Sequence, residues 1–509
     1  MGIKHLNHFG RPDCAVAGAG SVKRHRPKSI KVFLLLFLQK KSCLLIPAAM
    51  AGCSLAPNYV KPTLTTPVAY AGMGPWTPAS PDDAAPRGDW WVIYDDATLD
   101  RLERRIDRGN PSLAAALSRY DQAVQAANEA ASAQYPLVNL SGGATQNRQS
   151  DDRPLRIDGQ GPDIYGDNQI TGGFSYELDL WGRVRNLVAA GKAQGQASAA
   201  DAAAMRLSLE AQLADAYFSL RGLDAQADLL RQTGAAYQRA LALTQAQHEG
   251  GIVSGLDVGR AQTQYDTAEA QLADAIAQRA IYADEIASLI GVPAPSFSLG
   301  PDANLPPPPR IPVAAPSDLL QRRPDIAAAE RQAAAANAQI GVTRAAFYPT
   351  LSINASGGYQ AEGGGIDLFS LSNTLWSLGP GLALTVFDGG ERRAADQIAV
   401  DQFNQASANY KSVALTAFAQ VEDNLALCNG LAVAAGQQAD AVQAAAHTAD
   451  LALTLYQDGA VTYLDVVTAQ TAALDAQQTS LSIATRRLQA SVNLVEALGG
   501  GWARFHRRG

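Results

Sequence analysis

Between Arg183 and Gln247 the chain holds no proline and few glycines, and at a rise of about 1.5 Å per residue this stretch predicts a helix on the order of 95 Å long. A helix of that length does not fit inside one globular core, so the chain must build something elongated. It makes the same demand twice. Glu391 to Gln457 predicts a second long helix, and after glycine breaks at Gly250-Gly251 and at Gly459 helix resumes from Leu256 to Ile290 and from Leu464 to Leu498. Ahead of the first long helix, Leu99 to Tyr135 is Ala-rich with Leu102, Ile106, Leu113, Leu117 and Val124 at helical spacing, which predicts one helix ending at Tyr135-Pro136. Its counterpart opens at Arg323-Pro324-Asp325 and ends at Tyr348-Pro349.

Between these helices the period changes from 3.6 to two. Phe174, Tyr176, Leu178 and Leu180 alternate with Ser175, Glu177 and Asp179; Leu351, Ile353, Ala355, Gly357 and Tyr359 alternate with Ser352, Asn354, Ser356, Gly358 and Gln360; and Trp376, Leu378, Pro380, Leu382 and Leu384 oppose Ser377, Gly379, Gly381 and Thr385. Strands are expected at about 137–146, 170–180, 350–360 and 375–386. Tyr135-Pro136-Leu137 answers Tyr348-Pro349-Thr350, Leu256-Asp257-Val258 answers Leu464-Asp465-Val466, and Ala261-Gln262-Thr263 answers Ala469-Gln470-Thr471. The offset, about two hundred residues, is too long for a solenoid and reads as a duplication. The expected organisation is repeat one at 99–300, a Pro-rich linker at 301–322, repeat two at 323–500 and a tail at 501–509, with hairpin tips near 249–256 and 458–464. Four strands cannot close a barrel, and lipid does not tolerate a free sheet edge. If these strands enter a membrane, several chains must pool them; the other reading is a pair of small soluble sheets packed on one side.

Charge separates the first 52 residues from the rest. They carry nine basic residues against the single acid Asp13, so the remaining chain, at −15, is more acidic than the whole at −7. An acidic body is a poor partner for nucleic acid. Mean hydropathy is −0.09 although 47% of residues are hydrophobic, because alanine rather than Leu, Ile or Phe is the main contributor; this argues against a polytopic helical membrane protein. Within the leader, Lys/Arg clusters precede the apolar runs Val32 to Leu38 and Cys43 to Ala49, which lead into Met50-Ala51-Gly52-Cys53: a secretory signal over 1–52. Met-Ala-Gly-Cys resembles a bacterial lipobox, which implies a lipidated Cys53 as the first mature residue and a lipid-anchored extension over 53–98; an ordinary signal peptide is the alternative. Ser54, rather than Asp, after that cysteine resembles sorting to the outer membrane.

Taken together, the chain resembles the outer membrane factor family, the TolC-like exit ducts, in its lipoprotein branch. The motifs that carry the resemblance are Arg322-Arg323-Pro324-Asp325-Ile326 with Ala345-Ala346-Phe347-Tyr348-Pro349, Leu178-Asp179-Leu180-Trp181-Gly182-Arg183, Val386-Phe387-Asp388-Gly389-Gly390, and the two Gly…Leu-Asp-Val turns. The resemblance implies a mainly α fold with a membrane β-barrel: a homotrimer pooling four strands per chain into a twelve-stranded barrel, continued by a periplasmic tunnel of long helical hairpins. It implies a passive channel for small molecules or drugs, with a periplasmic adaptor (membrane fusion) protein and an inner-membrane pump, expected to be of the RND type, as partners. It places adaptor docking at Gly251, Ile252, Val253 and Ser254 and at Gly459, Ala460, Val461 and Thr462. It also implies a periplasmic gate in which Tyr456 hydrogen-bonds Asp257 while Leu464 and Asp465 narrow the aperture; the plainer alternative is that Leu464-Asp465 starts a helix. No phosphate loop, nucleophile elbow or HExxH occurs, and His248, His447 and His506 have no second ligand at metal spacing, so neither catalysis nor a cofactor beyond the lipid on Cys53 is expected. From a different class, a lipid-anchored periplasmic coiled-coil scaffold without a pore remains open.

Overall fold

The computed structural model describes residues 54–66, 70–71, 88–150, 164–311, 322–363 and 365–500. Cys53 and the rest of the leader lie outside the described residues, as does the tail. The elements are α1 (Ala97–Gly109), α2 (Pro111–Ser132), β1 (Leu137–Arg148), β2 (Ile164–Leu178), α3 (Arg183–Glu249), α4 (Gly255–Leu289), α5 (Pro324–Ala345), β3 (Thr350–Ala361), β4 (Thr374–Ala383), α6 (Glu391–Gln457) and α7 (Tyr463–Ala497). The duplication is visible in the lengths: α2 and α5 have 22 residues each, α3 and α6 67, α4 and α7 35. Each long helix is therefore about 100 Å. Among the described residues no helix is long and apolar enough to cross a membrane.

The expected single helix from Leu99 to Tyr135 is two. Asn110 ends α1 and caps α2, its side chain accepting from the Leu113 amide at 2.9 Å, and Pro111 takes the first position of α2, where a missing N–H costs nothing. Asn110 Nδ2 also donates to the Leu289 carbonyl at 2.8 Å, tying the break to the end of α4.

The four strands among the described residues form one antiparallel sheet in the order β1-β2-β3-β4. The alternating rows stay in register across it: Val138 faces Phe174, Phe174 faces Ala355, and Ala355 faces Leu378, while Ser175 lies beside Asn354 and Ser356 beside Ser377. One face is thus apolar over the half nearer the helices, with Gln146, Arg148, Asn168 and Thr374 on it toward the opposite end. The other is a polar ladder, with Ser175 Oγ donating to Asn354 Oδ1 at 3.1 Å and Ser356 and Ser377 bonded at 2.9 Å. β2 and β4 end earlier than the alternation suggested, leaving Leu180, Leu384 and Val386 outside them. The cause after β2 is Asp179, whose carboxylate accepts from the amides of Val184 and Arg185 and caps α3, while Gly182 takes a left-handed φ of 76°. Asp388 repeats the device for α6 by accepting from Gly390 and Arg392.

The largest core is a belt around the middle of α3. Trp90 and Tyr94 of a short 3-10 turn, with Leu99, Leu102 and Ile106 of α1, close over Leu213 and Phe218 of α3 and over Leu488 and Val492 of α7. Arg221, Asp224 and Arg279 form an ion-pair cluster there, holding the end of the first repeat through the carbonyls of Gly300 and Leu299 and the start of the linker through the Asp302 amide, which donates to Asp224. The Arg323-Pro324-Asp325 motif has a structural role: Arg323 donates to the Ala497 carbonyl at the end of α7 and pairs with Asp325 at 2.6 Å, Pro324 starts α5, and Ile326 is buried.

Candidate functional site at the paired hairpin tips

Both long hairpins reverse by the same chemistry. At the first tip the amide of Gly251 donates to the His248 carbonyl and that of Ile252 to the Gln247 carbonyl; at the second, Gly459 donates to Tyr456 and Ala460 to Leu455. This double bond pattern satisfies the last carbonyls of each helix and requires a left-handed residue, supplied by Gly251 at φ 72° and Gly459 at φ 75°. The chain then turns through exposed residues, Ile252 being 75% exposed, and α4 and α7 begin after Ser254 and Thr462.

The acid after each turn is used differently. Asp257 accepts from Ser254 Oγ at 2.9 Å and from Arg260 at 3.2 Å. Asp465 closes a capping box with Thr462, accepting from its amide at 2.9 Å and its hydroxyl at 2.7 Å, and these bonds hold its carboxyl below the ordinary range. The role of Asp465 in starting a helix is therefore observed directly. Leu464 beside it is exposed.

The two tips are joined through Tyr456. Its ring tilts against Tyr463 with centroids 5.3 Å apart, and both pack with Leu241, Ala261 and Val466 in a small apolar cluster. Its hydroxyl donates to Gln247 Oε1 at 3.2 Å, on the other hairpin, and burial, then the charge of Asp257, push its pKa up. The bond from Tyr456 to Asp257 that the family resemblance implied is thus replaced: Arg260 and Ser254 occupy the carboxylate, and the hydroxyl finds a neutral amide one turn before the tip. Above the tips, α4 and α7 are bridged by Gln264 to Gln470 at 3.2 Å and Gln478 to Gln271 at 3.0 Å, and an open groove of about 620 Å³ lies between them over Tyr237. Sequence reasoning missed Gln247 and Arg260. Arg260 was within reach, three residues after Asp257 on a helix, whereas nothing local marks Gln247.

No group of His, Cys, Asp and Glu among the described residues is arranged to hold a metal ion. The profile of the family described as outer membrane efflux protein matches residues 104–292 and 315–500, one match to each repeat. The chain belongs to that family. Among relatives in the outer membrane efflux protein family, it is 32% identical over 472 residues to the toluene efflux pump outer membrane protein TtgF of Pseudomonas putida, covering 90% of this chain and 96% of that one. It is 32% identical over 475 residues to the outer membrane protein OprJ of Pseudomonas aeruginosa, covering 91% and 95%. Among solved structures it is similar to a membrane protein from Pseudomonas aeruginosa with a TM-score of 0.80 and 29% identity, covering 89% and 99%, and to the outer-membrane channel OprN with a TM-score of 0.79 and 26% identity, covering 89% and 100%. As a member of the outer membrane efflux protein family, the chain is a transport protein of the outer membrane and not an enzyme.

Proposed function

We propose that three copies pool their sheets into one twelve-stranded barrel, and that the assembly is the passive exit duct of a tripartite efflux system, carrying small molecules or drugs delivered by an inner-membrane pump of the RND type through a periplasmic adaptor. The observation that carries this reading is the sheet. It has two unpaired edges, one apolar face open to the surroundings, with Trp376 80% exposed, and one polar face suited to a wet lumen. Twelve-residue strands such as β3, tilted by roughly 40°, rise about 30 Å, enough for the apolar band of a barrel. Aromatic residues flank the strand ends on the helix side, at Tyr135, Trp181, Tyr348 and Phe387, and Tyr165, Tyr359 and Phe369 lie at the other. The relatives' names, which include toluene, antibiotic and solvent efflux and pyoverdine export, support small-molecule cargo.

The purified protein in planar bilayers should conduct, and should run on gels as a trimer that heat dissociates. A monomer without conductance overturns the reading in favour of a scaffold. The gate belongs to it: rings of Leu464 and Asp465 at the tip would resist hydration and favour cations. The tips Gly251 to Ser254 and Gly459 to Thr462 are the docking points for the adaptor, for which the exposure of Ile252 is the support, and Ile252→Asp should uncouple export while the trimer persists. Lipidation of Cys53 is supported by its neighbour: Ser54 Oγ donates to Asn186 at 2.9 Å, one turn into α3 from the strands, which would hold an acyl-bearing residue near the bilayer. Mass spectrometry of the mature protein should find acyl chains on Cys53.

A further inference from the structure

Glu103 lies on α1 where the belt closes over α3. It is 1% exposed, and neither of its carboxylate oxygens has a hydrogen-bond partner. The groups around it make this sharper. Across from it on α3, Glu210 accepts from Trp90 Nε1 at 3.0 Å and from Arg206 Nε at 2.8 Å. The same Arg206 uses Nη2 on Asp107, one turn beyond Glu103 on α1, at 2.7 Å. The guanidinium is therefore committed to two neighbouring carboxylates, and Glu103 faces both of them. Burial, then Glu210 and Asp107, push its pKa well up.

A second carboxyl of this kind sits five residues beyond Glu210. Asp215 of α3 has one buried oxygen without a partner; its carboxylate is hydrogen-bonded by Asn493 of α7, which favours the charged form, and faces Glu496 of α7 and Glu285 of α4, which disfavour it. Its pKa is pushed up to about 7, by burial first and by Glu496 next. Tyr94 of the 3-10 turn also lies within its influence, with its own pKa raised. Arg323 lies near Glu496 and is itself bonded to Ala497, Gln420 and Asp325. The two acids thus mark the stretch of α3 that α1, α4 and α7 enclose.

We propose that the belt is a proton-operated clamp: with Glu103 and Asp215 neutral, α1, α4 and α7 close on the middle of α3, and ionisation of the buried Glu103 and the half-buried Asp215 as the surroundings turn from acid through neutral to alkaline loosens them from it. The clamp goes beyond the exit-duct reading and does not depend on it. The sign follows from linkage. Above the ordinary carboxylate range the unfolded chain releases protons that the folded belt retains, so stability is highest in acid and falls as pH rises through the raised values, near 7 for Asp215.

Thermal unfolding of the full chain in detergent, followed from about pH 5 to about pH 8.5, reads the effect: each unit by which a folded value exceeds the unfolded one lowers the folding equilibrium constant about tenfold. The wild-type midpoint should fall across this range. Glu103→Gln should converge with wild type at the acid end and exceed it at the alkaline end, and Asp215→Asn should remove the part of the fall that lies below about pH 7. Equal slopes in wild type and both variants overturn the clamp. Hydrogen exchange in the wild type, corrected for its intrinsic pH dependence, needs no variant: α1 amides should lose protection at the alkaline end, and constant protection overturns the proposal equally.

Discussion

The two 67-residue helices share length, hinge and turn chemistry yet sit in different surroundings. In α3, 27 residues are buried; in α6, only eight. The duplication therefore repeated the backbone and left burial to be decided by what packs beside each copy. The belt, the linker and α7 all lean on α3, and α6 leaves Leu415, Leu427, Val433 and Leu451 exposed. That open face of α6 is free in the single chain and available to a neighbouring copy in the proposed trimer. The tips repeat the contrast at smaller scale, with Asp257 paired to a cation and Asp465 satisfied by a hydroxyl and an amide.

The contrast is broken most directly by truncating one apolar residue on each helix. Phe218→Ala, in the belt, should lower the stability of the isolated chain to denaturant by about 3–5 kcal/mol, whereas Leu427→Ala, 45% exposed on α6, should change it by under about 0.5 kcal/mol. A comparable loss at Leu427 would mean that α6 is covered after all. Next in size, Gly251→Ala and Gly459→Ala should each cost about 1–2 kcal/mol, because both φ angles are left-handed and an added Cβ would meet nothing within 4 Å at either site; faster hydrogen exchange at each tip is the readout, and unequal costs would show that the turns are not equivalent. Smaller again, Tyr456→Phe should cost about 0.5–1.5 kcal/mol, and combining it with Gln247→Ala should add little, since both remove the same bond. A double mutant whose losses add fully would reject the link between hairpins.

The smallest effect separates the two acids by salt and pH. Raising ionic strength should weaken the Asp257 and Arg260 pair and spare the capping box. Asp465 has its pKa lowered by the Thr462 bonds, so its support of α7 is complete above the ordinary carboxylate value and is lost as pH falls through its lower folded value. Exchange rates at the start of α7 should rise only in strong acid, and Asp465→Ala should abolish that step.

Much of this molecule was written locally. The ends of α3, α4, α6 and α7 lie within two residues of the positions read from Gly250-Gly251, Gly459 and the flanking acids, because glycine and helix caps act through their own backbone. The alternation of β3, and that of β4 as far as Leu382, is kept in the register of the sheet. The break at Asn110-Pro111 was legible too, but the helical spacing of Leu102, Ile106, Leu113 and Leu117 runs across it without a gap in phase, and Leu117 is in fact exposed. Of the tip residues, the positions are local and the partners are not.

Periodicity, punctuation and duplication were determined by the sequence itself: two copies of helix, strand pair and long hairpin, each with its turn glycine and capping acid. Tertiary structure alone decided that Tyr456 meets Gln247 rather than Asp257, that Glu103 carries no partner, and that α3 is enclosed while its duplicate α6 is open. The reason is range. A cap or a period acts between residues a few positions apart, but a buried charge or a bond between hairpins depends on chains brought together from some two hundred residues away, where packing and desolvation choose the partner.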